Sequence, residues 1–412
     1  MRIAVWYNLP SGGAKRALYD HVQGLLAHGH YIESWCPPTA DQTFLPLGKL
    51  VKEHVVPLRW YQHNEHAWGK LHPGYWNMGT KIRAMNEHAA LCAEEINHGD
   101  WDMLFAAPCW FFSAPAIGKY VHLPKAIYLQ EPNRPMYEAA PKLIWAAPPA
   151  AGPNPHRIAH NAANTLKIFM FRLKVREELE NAQAFDLILT NSLYSRESVL
   201  RIYGLDSKVC YLGVDTAHFI DQHKPRERYV VGVGSFLTVK NIDFVIKALG
   251  TIPSCRPPLV WIGNLVDASY LRDLKHLATS LEVDFRPIIQ ATSEEVVNHL
   301  NRAAMMVYAP RLEPFGLAAL EANACGIPVI GVSEAGVRES IIDDYNGLLV
   351  NNDPQTMGNA IQRLLNAPDY AHQLGDNGRK RVNDAFSLEC AAKRLETNLN
   401  ELVAVHTVPP LK

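Results

Sequence analysis

Glu313–Gly347, EPFGLAALEANACGIPVIGVSEAGVRESIIDDYNG, sets two acids, Glu313 and Glu321, eight positions apart across a glycine and the start of a helix-forming run. Leu317, Ala318, Ala319, Leu320, Ala322 and Ala324 favour a helix that opens near Gly316 and carries Glu321 about one turn in. A helix N-terminus offers unpaired N–H groups and the positive end of the macrodipole, which suit a phosphate. Carboxylates accept hydrogen bonds from hydroxyls and bridge a vicinal diol. Phosphate and polyol together describe a nucleotide sugar. A plain helix-start acid, worth a few tenths to about 1 kcal/mol, accounts for one of the two acids but not for the spaced pair.

Outward from this stretch, strand-like apolar runs alternate with amphipathic helical ones. Ile3–Tyr7, the helical Lys15–Ala27 and Tyr31–Cys36 open the chain. Tyr229–Val233, Leu259–Ile262, Met305–Tyr308, Val329–Val332 and Leu348–Val350 recur in the second half. The alternation predicts an α/β fold of doubly wound parallel sheets. At 412 residues the chain exceeds one hydrophobic core, so two domains are expected. The junction falls in the polar DQHKPRER of Asp221–Arg228, giving domains 1–222 and 223–386 with a final helical segment 387–412. Lys142–Pro155 is Ala/Pro-rich and reads as a loop or lid, with a helix over Thr165–Gln183.

Composition narrows the function classes. Apolar residues make up 48% and charged residues 20%, as in soluble globular proteins. A net charge of −1 argues against nucleic acid as a partner. Seven dispersed cysteines without a CxxC pair fit a reducing cytoplasm better than a disulfide framework or a zinc site. The opening MRIAVWY reads as a strand rather than a leader. The longest uncharged run, Met103–Gly118, is too short to span a bilayer, so membrane contact is expected to be peripheral at most.

Several landmarks in order resemble family 4 of the nucleotide-sugar glycosyltransferases, retaining enzymes of the GT-B fold. Gly12-Gly13-Ala14-Lys15-Arg16 resembles the family's glycine pair and following arginine. Asn191-Ser192 with Arg196 and Tyr203-Gly204 is similar to its NS-x-x-x-R…YG stretch, and Gly213-Val214-Asp215 to its GVD. Gly234–Asn241, GSFLTVKN, stands in place of GRL-x-x-x-KG, and Glu313 to Glu321 matches Glu-x7-Glu. The resemblance implies two Rossmann-like domains facing across a cleft, acceptor in the first and nucleotide sugar in the second, with Ser387–His406 returning to the first as a helix.

It also implies roles. Glu313 binds the donor sugar's hydroxyls, Glu321 the ribose diol, Phe315, Gly316 and Leu317 offer backbone N–H groups, and Lys240 binds the phosphate. The family's usual arginine is here Ser235, so Arg311 or Arg16 is expected to supply the missing charge. Gly12 and Gly13 admit a phosphate close to the backbone. In Gln130-Glu131-Pro132-Asn133-Arg134, Gln130 replaces a histidine, which excludes a histidine base there and fits a front-face mechanism; Arg134 is expected near the acceptor. Base recognition is expected around Ile289, Gln290 and Ala291, and Glu131–Arg134 favours GDP-mannose over a UDP-hexose. No Asp-x-Asp pair closes a strand, so neither metal nor cofactor is expected.

Two segments stand outside this scheme. Trp60–Trp76 mixes Trp60 and Trp68 with His63, His66 and His72; packed loop residues are the commonest outcome for such a segment, and of the functional readings an acceptor-binding loop is favoured over a metal site. LKIFMFRLKV of Leu166–Val175 reads as a buried helix rather than a membrane-surface one, since Glu177, Glu178 and Glu180 follow. The expected activity is hexose transfer to a sugar or lipid-linked glycan of a cell-surface polysaccharide. The competing functions are a nucleotide-sugar epimerase and a non-catalytic sugar-nucleotide-binding subunit.

Overall fold

Strands buried on both faces read as near-continuous apolar runs, and Met103–Cys109, Leu259–Gly263 and Val329–Val332 are of that kind. The computed structural model describes residues 1–59, 78–138 and 155–407. They divide into two units: Met1–Asn191 with Ser195–Cys210 and the chain from Ala392 onward, and Ser192–Tyr194 with Tyr211–Ala391.

The first unit holds β1 (Arg2–Asn8), β2 (Tyr31–Cys36), β3 (Lys52–Val55), β4 (Met103–Cys109), β5 (Lys125–Gln130), β6 (Leu187–Thr190) and β7 (Lys208–Val209), in the sheet order β3-β2-β1-β4-β5-β6-β7. Every pairing is parallel. Helices α1 (Gly13–Ala27), α2 (Met78–His98) and α4 (Pro155–Gln183) lie between strands, and the one-turn α3 (Arg134–Tyr137) follows β5. Trp6, Leu104, Ile127 and Ile188 from the sheet pack with Met85, Cys92 and Ile96 of α2. Helix α4 starts at Pro155, ten residues before the expected start; proline is well accommodated in a first helical turn. In its LKIFMFRLKV stretch, Phe169 and Arg172 are exposed, while Ile168, Met170, Phe171 and Leu173 are half-buried.

The second unit holds α5 (Leu193–Tyr203) only through its first residues, and then β8 (Glu227–Val233), β9 (Leu259–Gly263), β10 (Phe285–Ile289), β11 (Ala303–Tyr308), β12 (Val329–Val332) and β13 (Gly347–Val350), ordered β10-β9-β8-β11-β12-β13. These pairings are parallel too. Between them run α6 (Ile242–Gly250), α7 (Ala268–Ser280), α8 (Ser293–Arg302), α9 (Leu317–Ala324) and the short α10 (Val337–Ser340); α11 (Pro354–Asn366), α12 (Pro368–Ala385) and α13 (Leu388–Thr407) follow. The chain joins this unit at Tyr211, upstream of Asp221–Arg228. The polar segment is fastened rather than loose. Val214 N donates to Phe386 O, Asn301 Nδ2 to Ile220 O, and Arg226 Nη1 to Asn301 O at 2.5 Å.

Helix α13 belongs to the first unit from Ala392 onward. It meets α1 where glycine leaves room: a Cβ on Gly24 would stand 2.5 Å from that of Ala392. One turn further, Glu396 bonds His28 Nδ1 at 2.8 Å and His30 Nε2 at 2.9 Å. In the second unit the corresponding polar fastening is buried. Asn346 donates to Asn323 Oδ1 and Ser340 O and accepts from Ile342 N, while Asn323 donates to Ile327 O and Asn346 O.

Two outcomes follow. Hydrogen bonds from His30 and His28 hold the Glu396 carboxyl below the usual carboxylate range. Its stabilising contribution is therefore full above about pH 4.3, the unfolded value, and disappears as pH falls through the depressed folded value. Thermal melts of Glu396→Gln should differ from wild type near neutrality and converge in acid; a difference independent of pH would refute this fastening. Asn346→Ala strands buried partners and should cost about 1–3 kcal/mol, read as a fall in melting temperature of the second unit.

Candidate functional site

In a doubly wound sheet, ligands sit beyond the carboxyl ends of the strands where the strand order reverses. In the second unit that point lies between β8 and β11, since the chain runs from β8 to β9 and β10 on one side and returns to β11 on the other. The loop after β8 carries Gly234, Ser235 and a 3-10 turn, Thr238–Lys240. The loop after β11 carries Arg311, Leu312 and Glu313.

The two loops meet. Lys240 Nζ donates to Glu313 Oε2 at 2.9 Å, and Arg311 N donates to Val239 O at 2.8 Å. Asn241, which stands where the resembled motif has glycine, adopts a left-handed conformation with φ 56°, a role asparagine fills better than other non-glycine residues. It opens α6 and turns Lys240 back over the strand ends. Gly234 is held under Lys240, with a hypothetical Cβ only 3.3 Å from the lysine Cδ, and its carbonyl accepts Trp261 Nε1 at 2.9 Å.

Gly316 (φ 96°) precedes α9, and no side chain caps that helix. Its αL conformation favours glycine, and a Cβ there would come within 2.7 Å of Ser340 Oγ. Ser340 Oγ donates to Phe315 O at 2.9 Å, fixing the turn that leads into the helix. Gly336 N donates to Glu313 O, and a Cβ on Gly336 would fall 1.9 Å from Pro314 O. The backbone around Glu313 is thus located by close contacts that admit no side chain. Glu321 lies in the second turn of α9 and is 7% exposed, so it is buried in the unit rather than standing at an open rim. Ile289 ends β10 and is exposed; the turn itself begins at Gln290, with φ 61°.

The first unit has its own reversal, between β1 and β4. Gly12 (φ 146°) caps α1, and a Cβ at Gly12 or Gly13 would meet nothing within 4 Å. Arg16 is half-exposed one turn on. Lys15 instead turns inward, with its Nζ 3.9 Å from the centroid of the Tyr7 ring, and burial pushes its pKa down. Gln130 ends β5 with φ 64°, and Arg134 Nε lies 3.0 Å from Glu131 Oε2. Trp60 and Trp68, with His63, His66 and His72, lie outside the described residues. Among the described residues no group of three or more His, Cys, Asp or Glu side chains could hold a metal ion. The Asp100-Trp101-Asp102 sequence precedes β4 rather than closing a strand, and both carboxylates face Arg2. No helix among the described residues is long and apolar enough to cross a membrane.

The structure adds residues that the motifs leave out: Asn241, Gly336, Ser340 and Asn346 in the second unit, and Trp110 in the first. Trp110 is exposed immediately beyond β4, and its N–H donates to Asn8 O at the end of β1. A tryptophan inside the uncharged Met103–Gly118 run, followed by Phe111 and Phe112, was the available signal.

Residues 214–381 match the family model described as glycosyl transferases group 1. Among similar proteins, the alpha-1,3/1,6-mannosyltransferase ALG2 of Dictyostelium discoideum is 32% identical over 142 residues, 34% of each chain. The D-inositol 3-phosphate glycosyltransferase of Streptosporangium roseum is 28% identical over 264 residues, 57% of this chain and 60% of that one. The chain thus spans less than two thirds of the length of these relatives. Among solved structures, the sucrose-phosphate synthase of Thermosynechococcus elongatus superposes with a TM-score of 0.72 at 18% identity, covering 98% of this chain and 100% of that one. Anabaena HepE in complex with UDP gives 0.69 at 16%, covering 97% and 100%. Residues 214–381 thus carry the likeness to the glycosyl transferases group 1 family, and the two parallel-sheet units have the GT-B fold.

Proposed function

We propose that the chain is a retaining glycosyltransferase that moves a hexose from a nucleoside-diphosphate sugar to a hydroxyl of a sugar or lipid-linked glycan. The observation that carries the proposal is the Lys240–Glu313 pair at the strand-order reversal, beside the uncapped N-terminus of α9. A diphosphate needs positive charge and N–H donors, and a sugar needs hydrogen-bond acceptors; this corner offers all three.

In this reading the donor separates the pair. The Lys240 ammonium turns to the diphosphate, which gains further charge from Arg311 and the amides of Phe315, Gly316 and Leu317. Ser235 contributes only a hydroxyl. Glu313 is left to accept from the sugar's hydroxyls, and Glu321 from the ribose. The bond between the anomeric carbon and the phosphate oxygen breaks, the acceptor oxygen bonds to the same face, and its proton passes to the departing phosphate oxygen. Charge on that oxygen is the main demand, met by fixed cations and dipoles, so the reading calls for neither a histidine base nor a metal. Gln130 would orient a hydroxyl through its amide, and Gly12, Gly13 and Arg16 would serve a phosphate in the first unit.

GDP-mannose is the favoured donor, supported by the mannosyltransferases among the relatives. A UDP-hexose is the second reading, since HepE, of like fold, is described in complex with UDP-glucose. Ile289 and its neighbours would contact the base. A role in cell-surface polysaccharide synthesis, at the cytoplasmic face of a membrane, completes the proposal; a capsular polysaccharide glycosyltransferase of Staphylococcus aureus is 24% identical over 249 residues.

Melting curves with a panel of nucleoside diphosphates should show stabilisation by one base over the others, about 2.7 kcal/mol at a hundredfold excess over Kd. No shift with any of them would count against the donor site. Glu313→Gln and Lys240→Met should lower kcat by about 10²–10³-fold, the scale for losing one preorganised group that stabilises developing charge. Unchanged glycan output from cells carrying Glu313→Ala would point to a non-catalytic binding subunit, and epimerised sugar accumulating from donor alone would point to an epimerase.

A further inference from the structure

The loop after β8 ends at Asn241, whose side-chain amide is buried without a partner. The residue is 6% exposed, and its Nδ2 meets no hydrogen-bond acceptor among the described residues. Three tasks within the protein are open to an asparagine at a helix start: adopting the left-handed conformation, capping the helix, and bonding a neighbouring group. Asn241 does the first, with φ 56° and ψ 39°, but glycine does so at lower steric cost. It occupies the N-cap position of α6 without a side-chain cap bond, and Nδ2 bonds no neighbour. A buried donor left unpaired lowers stability, so in the free protein this side chain is a cost without a return.

The surroundings name the group that would use it. Asn241 directly follows Lys240, whose Nζ is 2.9 Å from Glu313 Oε2, and Val239 O accepts the amide of Arg311. Residues 239–241 therefore run beside the loop after β11, at the strand-order reversal. The turn is fixed from both sides: Asn241 N donates to Thr238 O at 3.0 Å, and Asn241 O accepts from Phe244 N at 3.1 Å. The fixed charge of this corner is incomplete, because Glu313 matches Lys240 and position 235 carries a serine hydroxyl. A neutral amide without an acceptor suits a phosphate oxygen. It offers N–H donors and brings no charge that would have to be desolvated or matched before the ligand arrives.

We propose that Asn241 is a diphosphate-binding residue of the donor site, its Nδ2 donating to a phosphate oxygen and supplying part of what an arginine at position 235 would. The inference deepens the glycosyltransferase reading and rests on it. A donor that is buried and unpaired is prepared for its acceptor, since no bond within the protein has to break first. The effect is selective for phosphate: a nucleoside diphosphate gains from the amide, and the nucleoside alone does not. Removing the amide should therefore relieve the free protein and weaken the complex, two effects of opposite sign from one side chain.

The test uses the full chain as wild type, Asn241→Gly, Asn241→Asp, and Asn241→Gly combined with Ser235→Arg, with GDP, UDP, guanosine and uridine as ligands in calorimetric titrations. Asn241→Gly keeps the left-handed turn and removes the amide. Its melting temperature without ligand should equal or exceed that of wild type. Its Kd for whichever diphosphate binds wild type should rise on the order of tenfold, the scale of one hydrogen bond to a charged group, while its Kd for the matching nucleoside stays the same. Asn241→Asp, of the same shape but with a carboxylate, should weaken the diphosphate further, and adding Ser235→Arg to Asn241→Gly should restore it. Equal diphosphate affinity in wild type and Asn241→Gly would overturn the proposal. So would a loss of nucleoside and diphosphate binding in the same proportion, the mark of a merely structural role, and an unrescued double variant would overturn the equivalence to arginine. The failures are distinguishable: wild type that binds neither diphosphate sinks the donor-site reading and this proposal with it, whereas binding that Asn241→Gly retains in full sinks the proposal alone.

Discussion

Parallel pairing is the constraint on which the rest of the structure depends. In an all-parallel sheet each strand must be followed by a crossover, so the loops that leave the carboxyl ends collect on one edge. Where the order reverses, two of those loops part and leave a crevice. Both sheets reverse beside their first strand, at β1/β4 and β8/β11. Lys240 and Glu313, 73 positions apart in sequence, become neighbours for this reason. Gly12, Trp110 and Gln130 share an edge for the same reason, since they follow or end β1, β4 and β5.

Topology brings the loops together but does not fix side chains to a fraction of an ångström. That is done by contacts without room for a Cβ, at Gly336 against Pro314 O and at Gly316 against Ser340, and by the buried amides of Asn323 and Asn346. An unpaired buried polar group is costly, so a network with its bonds made favours one arrangement of the backbone. The Lys240–Glu313 pair is of another kind. Its side chains are 22% and 15% exposed, and the desolvation of each charge offsets much of their attraction. Such a pair contributes little to folding and yields readily to a ligand that replaces both halves.

The strands legible in the sequence were those with β-branched runs between clear turns: Val329–Val332 matches β12 residue for residue, and Tyr31–Cys36 matches β2. Those missed were disguised by proline or brevity. β4 contains Pro108 beside a register shift against β1, and β10 contains Pro287, which an edge strand tolerates. The helix start at Gly316 was readable because helix-start chemistry is local: the glycine, the helix formers and the spaced acids lie within the twelve residues Glu313–Ala324. Gly336 and Asn346 were not readable, because each acts through a partner on a different segment of the chain. The polar segment Asp221–Arg228, where the sequence reading sets the junction, lies within the second unit, which the chain joins at Tyr211. A polar, Pro-containing segment resembles a linker, and only the fold reveals that Arg226 and Asn301 pin it to the second unit.

The two crevices differ in how charge is disposed. In the second unit, Lys240 is matched by Glu313, so the described pair is neutral before a ligand arrives. A diphosphate carries more negative charge than one lysine offsets, and Ser235 adds none. The helix amides of α9 and the segment of Arg311, tied by its backbone to Val239, are the groups the proposed donor site would draw on for that deficit. In the first unit the ammonium groups of Lys81 and Lys174 stand 5.5 and 5.4 Å from the centroid of the Phe111 ring. A ring quadrupole holds an ammonium weakly, at about 0.5–1 kcal/mol when exposed and about 2 when desolvated.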